Sequence, residues 1–154
     1  MASVKRAPRQ AELVLEAFLP YRLSILSNRV SRAIAARYAA TFKLTIPEWR
    51  IIAVLGRTPG LTATEVAEAT EMDKVAVSRA VARLVAARRL DAAVDTRDAR
   101  RQMLSLSRQG EALYARIAPI ALEVEQRLLM TLSTHDRTRL NDLLSRLADA
   151  AKRL

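Results

Sequence analysis

The stretch DTRDARRQMLSLSRQG, residues 95–110, decides the fold together with LDAAV at 90–94 just before it. Every second residue is apolar from Leu90 to Val94 and again from Leu104 to Leu106. A period of two is typical of strands that have one buried face, and the polar TRDARR between the two runs suits a turn. We therefore predict a β-hairpin whose tip, residues 96–101, carries three arginines.

The residues before this hairpin predict four helices. Apolar residues recur at three- and four-residue steps after Pro20, which indicates a long amphipathic helix. Three shorter helices follow, and each begins at a capping residue, namely Thr45, Thr62 or Asp73. Thr62 and Glu65 have the spacing of a capping box. In the last of the three, KVAVSRAVARLVAA at 74–87, apolar residues mark one side of the helix and arginines the other.

The two ends of the chain are also predicted to be helical. Ser107 caps a helix that runs to about residue 131 and contains Pro119, and Ser133 with Asp136 caps a final helix with a leucine-rich face. Near the amino terminus we predict a short helix over 10–18, preceded by a disordered basic tail over 1–9. The predicted fold class is mainly α with a small β-hairpin.

The composition narrows the range of functions. The net charge is +10 with a pI near 11.1. A protein this basic usually binds nucleic acid or an anionic membrane surface. Cysteine is absent, which excludes disulfides, thiol chemistry and zinc-finger ligands, and His135 is the only histidine. We find no apolar stretch long enough for a signal peptide or a membrane span, and we predict a cytoplasmic protein without membrane contact.

The order of a helix, a short helix, a tight turn, a second helix and a charged hairpin is that of a winged helix-turn-helix. The helix over 74–87 suits the major groove of B-DNA, and the hairpin can reach the neighbouring minor groove. We expect Asp95 and Asp98 to orient the guanidinium groups of Arg97 and Arg100. The candidate DNA-binding residues are Lys74, Ser78, Arg79, Arg83, Arg97, Asp98, Arg100 and Arg101.

Residues 61–110 resemble the DNA-binding core of the MarR family of bacterial transcription regulators. The resemblance rests on LTATEVAEAT (61–70), DKVAVSRAVARL (73–84), DTRDAR (95–100) and LSRQG (106–110), and the flanking helices match in order. The chain departs from the family pattern at Arg88 and Arg89, where the family often has Gly-Leu. This change removes the usual glycine C-cap and leaves open how the chain passes from helix to hairpin.

The resemblance implies a homodimeric repressor that binds an inverted-repeat operator in double-stranded DNA and releases it when a small molecule binds. It implies a winged helix-turn-helix domain over 45–107 and a helical dimerisation region over 10–42 and 108–154. The stretch LPYRLSILSNRVSRAIAARY (19–38) is similar to members that respond to aromatic acids or their coenzyme A thioesters. The expected effector is therefore anionic and aromatic, and its candidate binding residues are Arg22, Arg29, Arg32 and Trp49.

Two other classes of function stay open. Asp91, Asp95 and Asp98 are close in sequence and suggest metal ligands of an enzyme, but no histidine, cysteine or glycine-rich loop accompanies them. We therefore predict no catalysis, no metal and no cofactor. The second alternative is an architectural protein that binds DNA without sequence preference and has no effector. The sequence leaves the operator, the regulated genes and the choice between repression and activation open.

Overall fold

The computed structural model describes residues 13–154, which form six helices and a two-stranded antiparallel sheet. Within these residues four helices precede the hairpin and two follow it, and the sequence predicts all six of them. The elements are α1 Leu19–Phe42, α2 Ile46–Arg57, α3 Ala63–Thr70, α4 Lys74–Ala86, β1 Leu90–Val94, β2 Gln102–Leu106, α5 Arg108–Leu129 and α6 Thr134–Ala151. The predicted fold class, mainly α with a small β-hairpin, is confirmed.

Side-chain caps start five of the helices at the predicted residues. The carboxylate of Glu48 accepts the N–H of Thr45 at 2.8 Å, and that of Glu65 accepts the N–H of Thr62 at 2.7 Å. Both threonines in turn accept the N–H of their glutamate, which completes two capping boxes. The remaining caps are Asp73 for α4, Ser107 for α5 and Ser133 for α6.

The predicted short helix over 10–18 is wrong for the residues that the structure describes. Residues 13–18 form a turn, in which the N–H groups of Ala17 and Phe18 donate to carbonyls three residues earlier, at 3.1 Å each. Phe18 is extended, with φ −77° and ψ 113°, as the N-cap of α1. A helix continuing through Phe18 would press the ring of Pro20 against the carbonyl of residue 16. Residues 10–12 and the tail predicted over 1–9 lie outside the described residues.

The hydrophobic core lies where α2, α3 and α4 pack together against the second half of α1 and the first half of α5. From α4 it takes Val77, Ala80, Val81 and Leu84, the apolar side apparent in the sequence. Burying one such aliphatic side chain contributes roughly 1.5–3 kcal/mol. The most completely buried large side chains are Tyr38, Ile51, Ile52, Leu55, Val66, Val77, Leu84, Leu104 and Ile117.

The hairpin is attached to the core at its base. Strands β1 and β2 pair in the register that sets Leu90 opposite Leu106. Leu104 also exchanges hydrogen bonds with the loop before α3, donating to the carbonyl of Leu61 and accepting from the N–H of Gly60, both at 2.8 Å. Gly60 has φ +80°, a conformation that glycine adopts without strain. Every residue of the tip, 96–101, is exposed.

The chain leaves α4 through a Schellman motif although glycine is absent. Arg88 takes the left-handed conformation with φ +55°, and the N–H groups of Arg88 and Arg89 donate to the carbonyls of Val85 and Leu84 at 2.9 and 2.8 Å. The Arg89 guanidinium donates to the carbonyl of Phe42 at 2.7 Å, which ties the start of the hairpin to the end of α1. The two arginines therefore keep the cap geometry, with backbone strain of about 1–2 kcal/mol at Arg88.

Two apolar faces lie outside the core. No residue of α6 is buried, and within the described part of the chain no other helix or strand packs extensively against it. The first half of α1 likewise exposes Leu19, Leu23 and Leu26. The exposed leucines of α6 are Leu140, Leu143, Leu144 and Leu147. None of the helices within residues 13–154 combines the length and the apolar character needed to cross a membrane.

Candidate nucleic-acid interface

The outer face of α4 lies opposite its buried side. At 100° per residue, Val75, Ala82 and Ala86 fall within about 40° of one another and directly opposite Leu84. All three are exposed. Asp73 fixes the first turn of this face, because its carboxylate accepts the N–H groups of Val75 and Ala76 at 2.9 and 3.0 Å. The predicted DNA-binding residues that are exposed beside this stripe are Lys74, Ser78 and Arg79.

Arg83 is bound to a buried glutamate of a neighbouring helix. Its Nε donates to Oε1 of Glu48 at 2.8 Å, while Oε2 of Glu48 accepts hydrogen bonds from Thr45. Glu48 is 5% exposed. Burial alone would raise the pKa of Glu48, but the hydrogen bonds from Thr45 and Arg83 outweigh burial and hold the pKa below its ordinary value. Glu48 is therefore ionised at neutral pH, and it ties Arg83 of α4 to α2.

The prediction that Asp95 and Asp98 bind the guanidinium groups of Arg97 and Arg100 is wrong. Oδ1 of Asp95 accepts the backbone N–H of Arg97 at 2.8 Å, and Oδ1 of Asp98 accepts the backbone N–H of Arg100 at 3.1 Å. These are Asx turns, in which a short carboxylate reaches the N–H two residues on. Holding a guanidinium instead would require ordering a long arginine side chain. The aspartates therefore set the path of the loop rather than the direction of the arginine side chains.

Arg101 connects the hairpin tip to α3. Its Nη2 donates to Oε1 of Glu65 at 2.9 Å, and both side chains are more than a third exposed. Glu65 is also the capping-box residue of α3. The hydrogen bonds from the backbone and hydroxyl of Thr62, with Arg101 beside them, hold the pKa of Glu65 below its ordinary value. An ionised Glu65 thus caps α3 and braces the hairpin against it.

Arg97 and Arg100 are the arginines that the tip presents to solvent. Both are exposed, and within residues 13–154 neither guanidinium lies within ion-pairing distance of a carboxylate. The structure thus separates the predicted arginines into two groups. Arg83 and Arg101 bind protein carboxylates, whereas Arg97 and Arg100 project from a loop whose backbone is fixed.

Three features of this surface were missed in the sequence. Val75 is an apolar residue on the outer face of α4, and its position opposite Leu84 on a helical wheel would have revealed it. Glu65 was recognised only as a capping-box residue, and Glu48 was not recognised as a partner of any arginine. Their second partners, Arg83 and Arg101, lie 35 and 36 residues away along the chain, so no local pattern signals the pairing.

The aspartates considered as metal ligands have other roles. Asp91 lies in β1 opposite Ser105, and Asp95 and Asp98 bind backbone N–H groups of the tip. In the part of the chain that the structure describes, no group of three or more acidic or histidine side chains is placed to hold a metal ion. Asp95 and Asp98 thus stabilise the backbone of the tip.

Trp49 belongs to an aromatic cluster at the junction of α1, α2 and α5. Its ring centroid lies 6.1 Å from that of Tyr114, in a stacked arrangement, and 6.0 Å from that of Tyr38. The Tyr38 hydroxyl is buried and has no hydrogen-bond partner among the described residues. Burial raises the pKa of Tyr38 to about 12, with Arg50 acting in the opposite direction. The cluster is therefore apolar, with one buried hydroxyl donor.

Of the candidate effector-binding arginines of α1, Arg22 lies far along the helix from Tyr38 and the aromatic cluster. Arg22 and Arg29 line a shallow groove with Leu19, Tyr21 and other residues of the first half of α1. Sixteen residues, about 24 Å along the helix axis, separate Arg22 from Tyr38. Arg32 is exposed on the same helix. The cation that acts on Tyr38 is Arg50, whose Nη2 donates to the hydroxyl of Ser31 at 3.2 Å.

Comparisons with known proteins agree with this geometry. The sequence model of the MarR family matches residues 42–101, and no curated protein matches the chain in sequence. A MarR/EmrR family transcriptional regulator from Acinetobacter sp. ADP1 superposes with a TM-score of 0.83 at 24% identity, over 92% of this chain and 100% of that one.

Two further solved structures are similar over nearly the same span. The PcaV transcriptional regulator from Streptomyces coelicolor, solved with its natural ligand, superposes with a TM-score of 0.74 at 25% identity, over 92% of this chain and 99% of that one. The transcriptional repressor CouR, solved on a 23-mer DNA duplex, gives a TM-score of 0.74 at 25% identity, over 90% and 99%.

The matched segment 42–101 holds α2, α3, α4 and the tip of the hairpin, which together carry the outer face of α4 and the arginines described above. The structural similarity continues through the helices on either side of it. The winged-helix segment of the chain thus matches the MarR family model, and its fold is that of solved transcriptional regulators of this family.

Proposed function

We propose that this protein is a homodimeric repressor that binds an inverted-repeat operator and leaves it when a small-molecule effector binds. The observation that carries the proposal is the hairpin tip, where Asp95 and Asp98 fix the loop and Arg97 and Arg100 have no acidic partner among residues 13–154. In this proposal α4 enters the major groove and the tip arginines enter the flanking minor groove. The binding of CouR to a DNA duplex supports the same mode here.

The proposed domain division follows the uncovered apolar faces. Residues 45–107 form the DNA-binding domain, and 10–42 with 108–154 form the dimerisation region. The exposed leucines of α6 support this division. In a dimer, the second protomer would bury this apolar surface and remove it from water. A twofold dimer would set its two α4 helices about 34 Å apart, one turn of the DNA helix.

Arg100→Ala should weaken binding to the operator about 10- to 100-fold, or roughly 1–3 kcal/mol, because the tip loses a cation that meets the DNA. The slope of log Kd against log salt should fall by about 1. The operator is first selected from a library of random duplexes with the wild-type protein. Fluorescence anisotropy at four salt concentrations then gives affinity and slope for both proteins.

Arg57→Ala is the matched control for this measurement. Arg57 is an exposed arginine at the end of α2, so its removal changes the net charge equally without touching α4 or the hairpin. It should leave the salt slope unchanged. An Arg100→Ala protein with wild-type affinity and slope would contradict the proposed role of the tip.

The same library separates the proposal from the architectural alternative. A sequence-specific regulator should enrich one inverted-repeat motif, since base-edge contacts discriminate among sequences. A non-specific protein would bind all duplexes with similar affinity and enrich none.

The effector in this proposal is an anionic aromatic compound, such as an aromatic acid or its coenzyme A thioester. Trp49, Tyr38 and Tyr114 supply an aromatic wall, and the Tyr38 hydroxyl and Arg50 supply a donor and a cation beside it. Arg22, Arg29 and Arg32 add positive charge along α1. PcaV, solved with its natural ligand, supports ligand control in a protein of this fold. A tenfold loss of operator affinity requires about 1.4 kcal/mol of coupling between the two sites.

Hydroxycinnamoyl thioesters and free aromatic acids should release the protein from its operator, whereas neutral aromatic compounds should not. The effector must bind the DNA-free arrangement more tightly, because equal affinity shifts no population. Trp49 is the only tryptophan, so its fluorescence reports binding beside it directly. Release by neutral compounds alone would contradict the charge preference. A response that survives charge reversal at Arg22, Arg29 and Arg32 would exclude those three arginines.

A further inference from the structure

The outer face of α4 offers fewer hydrogen-bond donors than the sequence suggests. Arg83 lies at the edge of this face, about 80° around the helix from Val75, and its Nε is bound to Glu48. The centre of the face is apolar, since Val75, Ala82 and Ala86 form a stripe along it. Ser78 and Arg79 are the polar residues next to the stripe. In the major groove, a helix with this surface would make apolar contacts as well as hydrogen bonds.

Val75 is the largest side chain of that stripe and is 56% exposed. It lies in the first turn of α4, where Asp73 binds its backbone N–H at 2.9 Å and so fixes its position. A β-branched residue contributes little to an exposed helix, because its side-chain rotamers are restricted there. Val75 therefore adds little to the stability of the protomer, although its place on the DNA-facing side is well defined.

The major groove contains one kind of apolar group. Adenine, guanine and cytosine present donors and acceptors there, whereas thymine adds a C5-methyl group. An exposed valine in the groove gains contact surface at a thymine, and at other bases it would desolvate polar edges without replacing their hydrogen bonds. The chemistry of Val75 thus matches thymine.

We propose that Val75 is a specificity-determining residue, whose isopropyl group packs against the C5-methyl of one thymine in each half of the operator. This inference rests on the proposed function, in which α4 lies in the major groove. It adds the chemical identity of one base in the recognised sequence and the residue that reads it.

The test removes single methyl groups from the DNA. In the operator selected by the wild-type protein, each thymine of both half-sites is replaced in turn by deoxyuridine, which lacks only the C5-methyl. At one position per half-site the substitution should weaken wild-type binding about three- to tenfold, the effect of one buried methyl group. In the Val75→Ala protein the same substitution should have no effect, because the contact is already lost.

Val85→Ala is the matched control. Val85 is also exposed on α4, at 38%, but it lies near the other end of the helix and lines a groove with Arg88 and Leu90 at the base of the hairpin. This variant should keep the wild-type sensitivity to deoxyuridine. Thermal unfolding of both variants checks that neither loses its fold.

Two results would overturn the inference while leaving the proposed function intact. One is an operator that the protein binds equally well at every deoxyuridine position. The other is a methyl effect of the same size in wild type and Val75→Ala, which would assign the contact to another residue. A library that enriches no sequence at all would instead contradict the proposed function, and the inference with it.

Discussion

Replacing Gly110 with alanine should lower the free energy of unfolding by about 3 kcal/mol, the upper part of the range for overpacking a closed site. A Cβ at Gly110 would overlap the carbonyl oxygen of Arg89, which is backbone and has no side-chain freedom to move away. The same carbonyl accepts the N–H of Ser107 at 3.1 Å, and the hydroxyl of Ser107 donates to the carbonyl of Arg88 at 2.6 Å. The clash therefore falls where α4, the hairpin base and α5 meet.

The direction of the change in stability distinguishes a crowded site from an open one. Gly110 lies in the first turn of α5, and in a helix with free space around it alanine would stabilise by up to about 1 kcal/mol. Chemical denaturation followed by circular dichroism measures the difference. Gln109→Ala, at the exposed neighbouring position, is the control and should change stability by less than about 0.5 kcal/mol. A Gly110→Ala protein as stable as wild type would show that the two backbones do not meet as described.

The double substitution Leu143→Asp and Leu147→Asp should convert the proposed dimer to a monomer and weaken operator binding at least about 100-fold. Both leucines are exposed on the uncovered face of α6, and two carboxylates buried in an interface would be desolvated without partners. A monomer also loses the gain from binding both half-sites at once, which amounts to a factor of about 10²–10⁴. Sedimentation velocity at micromolar protein and operator titrations measure the two effects.

Ser145→Asp is the control, because it places the same residue on the opposite side of α6. It should remain dimeric and bind the operator as wild type does. If the double variant stays dimeric, the exposed leucines of α6 are not the interface. If it becomes monomeric yet binds the operator with wild-type affinity, the proposal that the dimer spans two half-sites is wrong.

The helix boundaries were predictable because their signals are local. Thr45 with Glu48, and Thr62 with Glu65, are three residues apart, and each pair closes its capping box within a single helical turn. The alternation of apolar residues around the arginine-rich turn was sufficient to predict the hairpin, since a strand shows one face at every second residue. The short helix over 10–18 failed in its described part because Pro20 and the extended Phe18 start α1 independently of what precedes it.

The partners of the charged residues were not predictable in the same way. An aspartate two residues before an arginine is compatible with a guanidinium contact or with an Asx turn, and the sequence pattern is the same for both. The folded loop selects the Asx turn, because the backbone N–H is already within reach of the short side chain. The conformation of Arg88 was not predictable either, because the Schellman motif imposes a left-handed backbone that arginine seldom adopts.

From α1 onward, the sequence by itself determined which segments are helical, where the basic hairpin lies and which side of α4 is buried, because caps and apolar periods act within a few residues of each other. Tertiary structure alone decided how the arginines are used. It brings Glu48 to Arg83 and Glu65 to Arg101 across about 35 residues, and among the described residues it places no carboxylate beside Arg97 or Arg100. Whether a cation is held by the protein or is available to DNA depends on which acids the packing of helices places beside it, and that packing is not encoded in any local spacing.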